Sequence, residues 1–127
     1  MDEVHPEELL KTDGIILGSM SRLGNVSASM KTFLEGTVAF QGSLNGKVGG
    51  VFSSASHIGG GNETTDLNLL QAMLIHGMVV KGMVEEDHYG ALSVEIIDEE
   101  ERSTVLYDGS CRRLGKEVAM LVKKLHG

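Results

Sequence analysis

The sequence predicts an α/β protein: an open parallel sheet wound by right-handed crossovers, with helices on its faces. Three observations carry this. Gly14 to Leu17 (GIIL) and Val48 to Phe52 are apolar on both strand faces, the pattern of parallel strands buried between helical layers. The stretches between and after them carry apolar residues at helical spacing. Connections are short, so strand and helix alternate, and neither a repeat nor a linker divides residues 1–127 into more than one expected domain.

The elements follow in order. Pro6 opens a short helix (PEELLK), because its fixed φ suits a first helical turn and its missing N–H is not needed there. GIIL is the first strand. Asn25 is placed to cap a second helix, in which Val26, Met30, Phe33 and Leu34 fall at i, i+4, i+7 and i+8, one apolar stripe ending near Gly36. After the loop QGSLNGK, Val48 to Phe52 makes the second strand, where Gly49 and Gly50 let a helix approach closely. Ser53 to Asn62 reads as a loop of small residues. A third helix is expected from about Thr64 to His76, with Leu67, Leu70 and Leu74 facing inward and Gly77 as its C-terminal stop. MVVKGM is the third strand. The segment Val84 to Tyr107 is ambiguous: ALSVEII can form a strand, and DEEER reads as a solvated turn. The last helix gathers Leu114, Val118, Leu121, Val122 and Leu125 on one stripe.

Composition narrows the function. With 127 residues, 41% hydrophobic and 23% charged, the chain has enough apolar surface for a buried core. A formal net charge of -7 argues against nucleic acid, whose phosphates need a clustered positive field. Lys116, Lys123 and Lys124 read as a solvated helix face. The single cysteine, Cys111, excludes a disulfide within the chain and fits a reducing compartment. No apolar run reaches the ~20 residues that span a bilayer, and Met1 to Pro6 is too acidic for a signal peptide, so no membrane partner and a cytoplasmic location are expected. The histidines lack ligand spacing, and no Gly-x-Ser-x-Gly elbow is present, so neither a metal centre nor a hydrolase nucleophile is expected.

In open parallel sheets, ligands bind outside the carboxyl ends of the strands. The loops leaving those ends are GSMSRLGN and SSASHIGGGN, each followed by a helix whose first N–H groups favour an anion or a polar ring edge. One such loop alone is often only a tight turn. Two in order, GSMSRLGNVSASMKTFLEG and GKVGGVFSSASHIGGGNETT, followed by LIHGMVV and HYGA, resemble the flavodoxin-like NAD(P)H:quinone oxidoreductases of the tryptophan-repressor-binding-protein type, in register from about Pro6 to Met83. In that family the first loop reads Gly-Thr-Pro-Thr-Arg-aromatic-Gly-Asn and borders the isoalloxazine ring of FMN. Its counterpart here is Gly18, Ser19, Met20, Ser21, Arg22, Leu23, Gly24 and Asn25. The family's second flavin loop, Ser-Ser-Thr-Gly-Thr-Gly-Gly-Gly, matches Ser53, Ser54, Ala55, Ser56, His57, Ile58, Gly59 and Gly60.

The resemblance implies a truncated flavodoxin-like three-layer sandwich whose strands are equivalent to 3-4-5 of the relatives' sheet. It implies FMN as cofactor, with NAD(P)H and a quinone as reactants, and Ser19, Ser21, Arg22, Leu23, Asn25, Ser54, Ala55, Ser56, His57 and Gly59 as cofactor-binding residues. Ser21, Arg22, Ser54, Ser56 and Gly59 are the strongest of these. It also implies that the relatives' first strand, phosphate-binding loop, first helix and second strand have no counterpart here, so FMN binding by the isolated chain is expected to be weak or absent. Met20 stands where relatives have proline, Leu23 where they have an aromatic residue, and Ile75-His76-Gly77 where they have His-His-Gly. Phe40 lies near the family's active-site tryptophan and reads as core or partner-facing packing. Three readings follow: a flavoprotein oxidoreductase, a non-catalytic flavodoxin-like binding or assembly module, and one half of a composite flavoprotein. GIIL, without its former neighbour, becomes an unprotected apolar edge, so a homo-oligomer, dimer or tetramer, is expected.

Overall fold

In the computed structural model, which describes residues 3–85, 87–100 and 109–127 and the backbone of 103–106, the strands form a mixed five-stranded sheet. They are β1 (Gly14–Met20), β2 (Val48–Ala55), β3 (Val79–Val80), β4 (Ala91–Ile97) and β5 (Ser103–Leu106). The order is β1-β2-β4-β5, with β3 also paired to β2. β2 runs parallel to β1, β3 and β4, in registers such as Leu17↔Val51, Val48↔Val79 and Phe52↔Ala91. β5 pairs with β4 antiparallel. The expected strand MVVKGM is therefore only Val79–Val80. The last parallel position is split: β3 lies along the start of β2, and β4, the ambiguous ALSVEII, lies along its end. Asp98, Glu99 and Glu100 form the exposed turn expected of DEEER, whereas Glu101, Arg102 and Tyr107 lie outside the described residues.

Three α-helices cover the sheet: α1 (Ala28–Gly36), α2 (Asn62–Ile75) and α3 (Gly109–His126). PEELLK is a 3-10 helix, Pro6–Lys11, and a second 3-10 turn, Thr37–Phe40, follows α1. The cap of α1 is Ser27 and not Asn25: its side chain accepts from the Met30 N–H at 3.2 Å, while the Asn25 carbonyl Oδ1 accepts only from Val26 N. Gly77, at φ +75°, ends α2 as expected, with its N–H donated to Leu74 O and that of Met78 to Met73 O.

The inward face of α2 differs from the expected one. Leu69 and Met73 are buried with Asn62, Thr65 and Asp66, while Leu67 and Leu74 are exposed and Leu70 is half-buried. Apolar residues surround most of this helix, so helical spacing selects no single stripe; the sheet selects the one that carries three polar residues at its start. On α3, Leu114 and Val118 are buried, Leu121 and Val122 pack at their side, and Leu125 is exposed.

Two cores result. Ile15, Leu17, Leu44, Val51, Leu69, Met73 and Met78 fill the α1/α2 side. Val48, Met83, Ala91, Leu114 and Val118 fill the α3 side. Gly50 allows α3 its close approach, since a Cβ there would lie 2.8 Å from Val118 Cγ2 and 2.9 Å from Leu114 Cδ1. This second cover is incomplete. α3 meets β1 at Gly14, and beyond it Ile16, Met20 and Phe52 are 40%, 48% and 40% exposed, so β1 is not buried on both faces along its length. Among the described residues β1 has a single strand neighbour and forms one edge of the sheet.

Candidate functional site

Both stretches singled out as loops begin inside their strands, since Gly18–Met20 still belong to β1 and Ser53–Ala55 to β2; beyond those carboxyl ends they are joined through Ser21. Its N–H donates to Ser54 O at 2.7 Å, extending the β1–β2 ladder by one residue. Its hydroxyl donates to Gly60 O at 3.1 Å, and the Thr65 hydroxyl, from the first turns of α2, lies 3.0 Å from Ser21 Oγ and 3.2 Å from Asn25 O. Gly61, at φ +98°, makes this closeness possible: a Cβ there would sit 2.6 Å from Ser21 Oγ and 2.8 Å from Gly24 Cα.

Within the first loop, Arg22 and Asn25 form an isolated antiparallel bridge, closed by Leu23 at φ +53° and Gly24 at φ +75°. Positive φ at both central positions is the geometry of a type I′ turn, which normally selects Asn, Asp or Gly. A fully exposed leucine there is strained. Ser19 is buried; its hydroxyl donates to Met20 O at 2.8 Å and accepts from Ser27 N at 2.9 Å, so it shapes the loop from beneath. Arg22, Leu23 and Asn25 edge a groove of about 800 Å³ between α1 and α2, whose walls include Lys31, Gln71 and His76.

At the end of β2 Ser54 is exposed and Ala55 half-buried, and in the loop that follows Ser56, His57 and Gly59 are exposed. Gly59 borders a separate cavity of about 360 Å³ with Asn62, Glu63, Asp87 and Leu92. Asn62, missed in the sequence reading, anchors the loop: its Nδ2 donates to Ser53 O at 3.2 Å and lies 3.3 Å from Ser93 O, while Ser53 Oγ donates to Asn62 O. The polar run Asn62, Thr64, Thr65 at a helix start was the available signal for this anchor.

His76 is the C-cap of α2 and buried. Thr37 Oγ1 donates to Leu34 O at 2.6 Å, so the His76 Nε2, 2.8 Å from Thr37 Oγ1, is the donor of that pair, and Nδ1 is an acceptor without a partner. Phe40 packs against the α1/α2 core. Among the described residues no group of three or more His, Cys, Asp or Glu side chains could hold a metal ion, and no helix is long and apolar enough to cross a membrane.

A sheet parallel except for β5, set between helical layers, with two interlocked small-residue loops at the carboxyl ends of adjacent strands, defines a flavodoxin-like α/β protein. Solved structures share this fold: a WrbA-like flavodoxin protein from Agrobacterium tumefaciens (TM-score 0.71, 22% identity, 92% of this chain and 70% of that one) and a flavodoxin from the domain Archaea (TM-score 0.66, 24% identity, 95% and 73%). The chain belongs to the NADPH-dependent FMN reductase family, whose model matches residues 6–89. Among curated relatives it is 36% identical to an NAD(P)H dehydrogenase (quinone) of Archaeoglobus fulgidus and 36% identical to another of Geotalea daltonii, each over 94% of this chain. It is 34% identical to a flavodoxin of Aquifex aeolicus, also over 94% of the chain. It spans 64%, 65% and 65% of the lengths of these three relatives.

Proposed function

We propose that this chain carries the flavin-ring side of an FMN-dependent NAD(P)H:quinone oxidoreductase site, and that by itself it binds FMN weakly. The observation that carries the reading is the junction of the two loops through Ser21, which holds Arg22, Asn25, Ser54, Ala55, Ser56, His57 and Gly59 together at the carboxyl ends of β1 and β2. FMN, when bound, would take hydride from the nicotinamide and pass electrons to a quinone. The protein's part is to place hydrogen-bonding groups along the ring edge, Leu23 lying at the tip of the first loop.

The fit to FMN is partial. Exposed hydroxyls and amides suit the ring edge, but a phosphate takes N–H donors, and in the Gly-rich turn the Gly60 N–H is already donated to His57 O. We assign no phosphate cradle to either loop. Hydrogen bonds to a charged phosphate are each worth roughly 1.5–3 kcal/mol, so their loss removes most of the affinity. The purified chain should be colourless, and FMN and riboflavin, followed by flavin fluorescence, should bind it about equally and only weakly. Stoichiometric submicromolar quenching by FMN, with riboflavin at least tenfold weaker, would show that a cradle exists. NAD(P)H oxidation dependent on quinone and FMN should be negligible in the isolated chain.

A second reading, an assembly module or one half of a composite flavoprotein, is favoured by β1. Among the described residues its outer edge has no strand neighbour, and Ile16, Met20 and Phe52 form an exposed apolar face beside it. Patches of this kind are commonly buried by self-association. Light scattering should report a dimer or tetramer, and Ile16→Lys should dissociate it while leaving the helical circular dichroism unchanged. A monomer at millimolar concentration would remove the self-association.

A further inference from the structure

We propose that Asp66 of α2 and Asp87 of the turn Asp87–Gly90 form a buried carboxyl clasp, closed while one of the two is protonated and loosened when both are charged. Asp66 is 0% exposed and Asp87 4%, and none of their four carboxylate oxygens has a hydrogen-bond partner. Two ionised carboxylates buried together without donors repel each other and forgo hydration, and a single proton on one of them relieves both costs.

The surroundings leave that proton as the available relief. The charges facing Asp66 are Asp87, from the turn, and Glu63, three residues back on α2, and both are negative. From β2 comes Ser53, which favours the charged form, but its hydroxyl is donated to Asn62 O at 3.1 Å. Burial is the largest influence and, with these two acids, lifts the Asp66 carboxyl from 3.8 to about 7.

What the clasp holds is a tight, strained turn. Gly90 lies directly against the pair: its N–H donates to Asp87 O at 3.2 Å, and a Cβ on it would lie 3.0 Å from Asp66 Oδ2. Next to Asp87, His88 takes φ +26°, a conformation that side chains other than glycine rarely adopt, and its carbonyl accepts from Met83 N. The turn lies between β3 and β4, where the last parallel strand is interrupted, and Lys81 ahead of it donates its N–H to Gly49 O of β2 at 2.8 Å. Asp87 also lines the cavity of about 360 Å³ beside Gly59 and Asn62, and opening the turn would widen that cavity. This inference does not depend on flavin binding.

The direction of the pH effect follows from linkage. Asp66 has a higher pKa in the closed state than in the open or unfolded one, so the closed state is fully favoured below about pH 4 and loses ground as pH rises to about 7. Above that the loss is complete and the curve is flat. Amide hydrogen exchange of Met83 and Gly90, whose N–H groups donate to His88 O and Asp87 O, corrected for intrinsic exchange, should show protection falling by up to tenfold per pH unit between pH 5 and 7. Asp66→Asn, which keeps the shape and removes the titration, should abolish that slope and melt higher than the wild type at pH 8. The carboxyl carbon resonance of Asp66 should titrate near pH 7 in the wild type and at lower pH in Asp87→Asn, which serves if Asp66→Asn does not fold. The proposal is overturned if the Asp66 resonance titrates near pH 4, or if wild type and Asp66→Asn show the same pH dependence of protection.

Discussion

Gly90→Ala is expected to unfold the protein or lower its melting temperature by roughly 10 °C or more. The residue has no left-handed φ, so alanine is acceptable to its backbone, and the obstacle is space alone. A Cβ there would overlap the Val51 carbonyl oxygen, lie 2.6 Å from Val51 Cγ2 and sit 3.0 Å from Asp66 Oδ2. Val51 is fully buried in β2, the strand to which β1, β3 and β4 all pair, so it cannot move aside without displacing its neighbours. Overpacking typically costs about 1–3 kcal/mol, and a clash with a central strand's backbone belongs at or beyond the upper end. At roughly 3–5 °C per kcal/mol for a chain of this size, that is the shift stated. Gly115→Ala supplies the control with the opposite sign. It lies inside α3 with nothing within 4 Å of its Cβ, and should stabilise by about 0.5–1 kcal/mol. Equal melting temperatures for the two variants, by calorimetry, would refute the close approach at Gly90.

Leu69→Ala is expected to cost about 2–5 kcal/mol in urea denaturation, and Leu67→Ala under about 1 kcal/mol. Leu69 is 0% exposed in the α1/α2 core, so truncation leaves a cavity among Val51, Met73 and their neighbours. Leu67, two residues earlier, points away from that core and is 36% exposed. Helical spacing among the leucines alone favours the opposite ranking. Similar losses for both variants would mean that α2 is rotated about its axis from the orientation described.

That pair of leucines marks where the sequence stops being informative. Period and punctuation are local properties, and they placed β1, β2 and the three α-helices, the turn at Gly77 and the loops at the strand ends. They also expected close helix approach at Gly49 and Gly50. They could not choose a face for α2, because apolar residues occupy most of its circumference and only the position of the sheet distinguishes them. Nor could they show that the last parallel strand is split, because Val79–Val80 and Ala91–Ile97 are separate short runs whose shared partner is β2.

The candidate site divides in the same way. Small residues after two parallel strands make the loops legible, and only the family resemblance points to Ser21, Arg22 and Ser54 within them. Ser27 as the cap of α1, Thr65 and Asn62 as anchors, and the Asp66–Asp87 pair could not be named from the chain. Ser21 and Gly60 are 39 residues apart, and Thr65 reaches Ser21 across 44. By itself the sequence determined the alternation of strands and helices and the chemistry of the loops, since both rest on preferences that a residue and its near neighbours express. Which side chains are buried, which hydroxyl joins the two loops and which two acids lie buried without a hydrogen-bond partner were decided only by the tertiary structure. Burial and hydrogen bonding depend on what the fold brings alongside, and a linear pattern does not carry that distance.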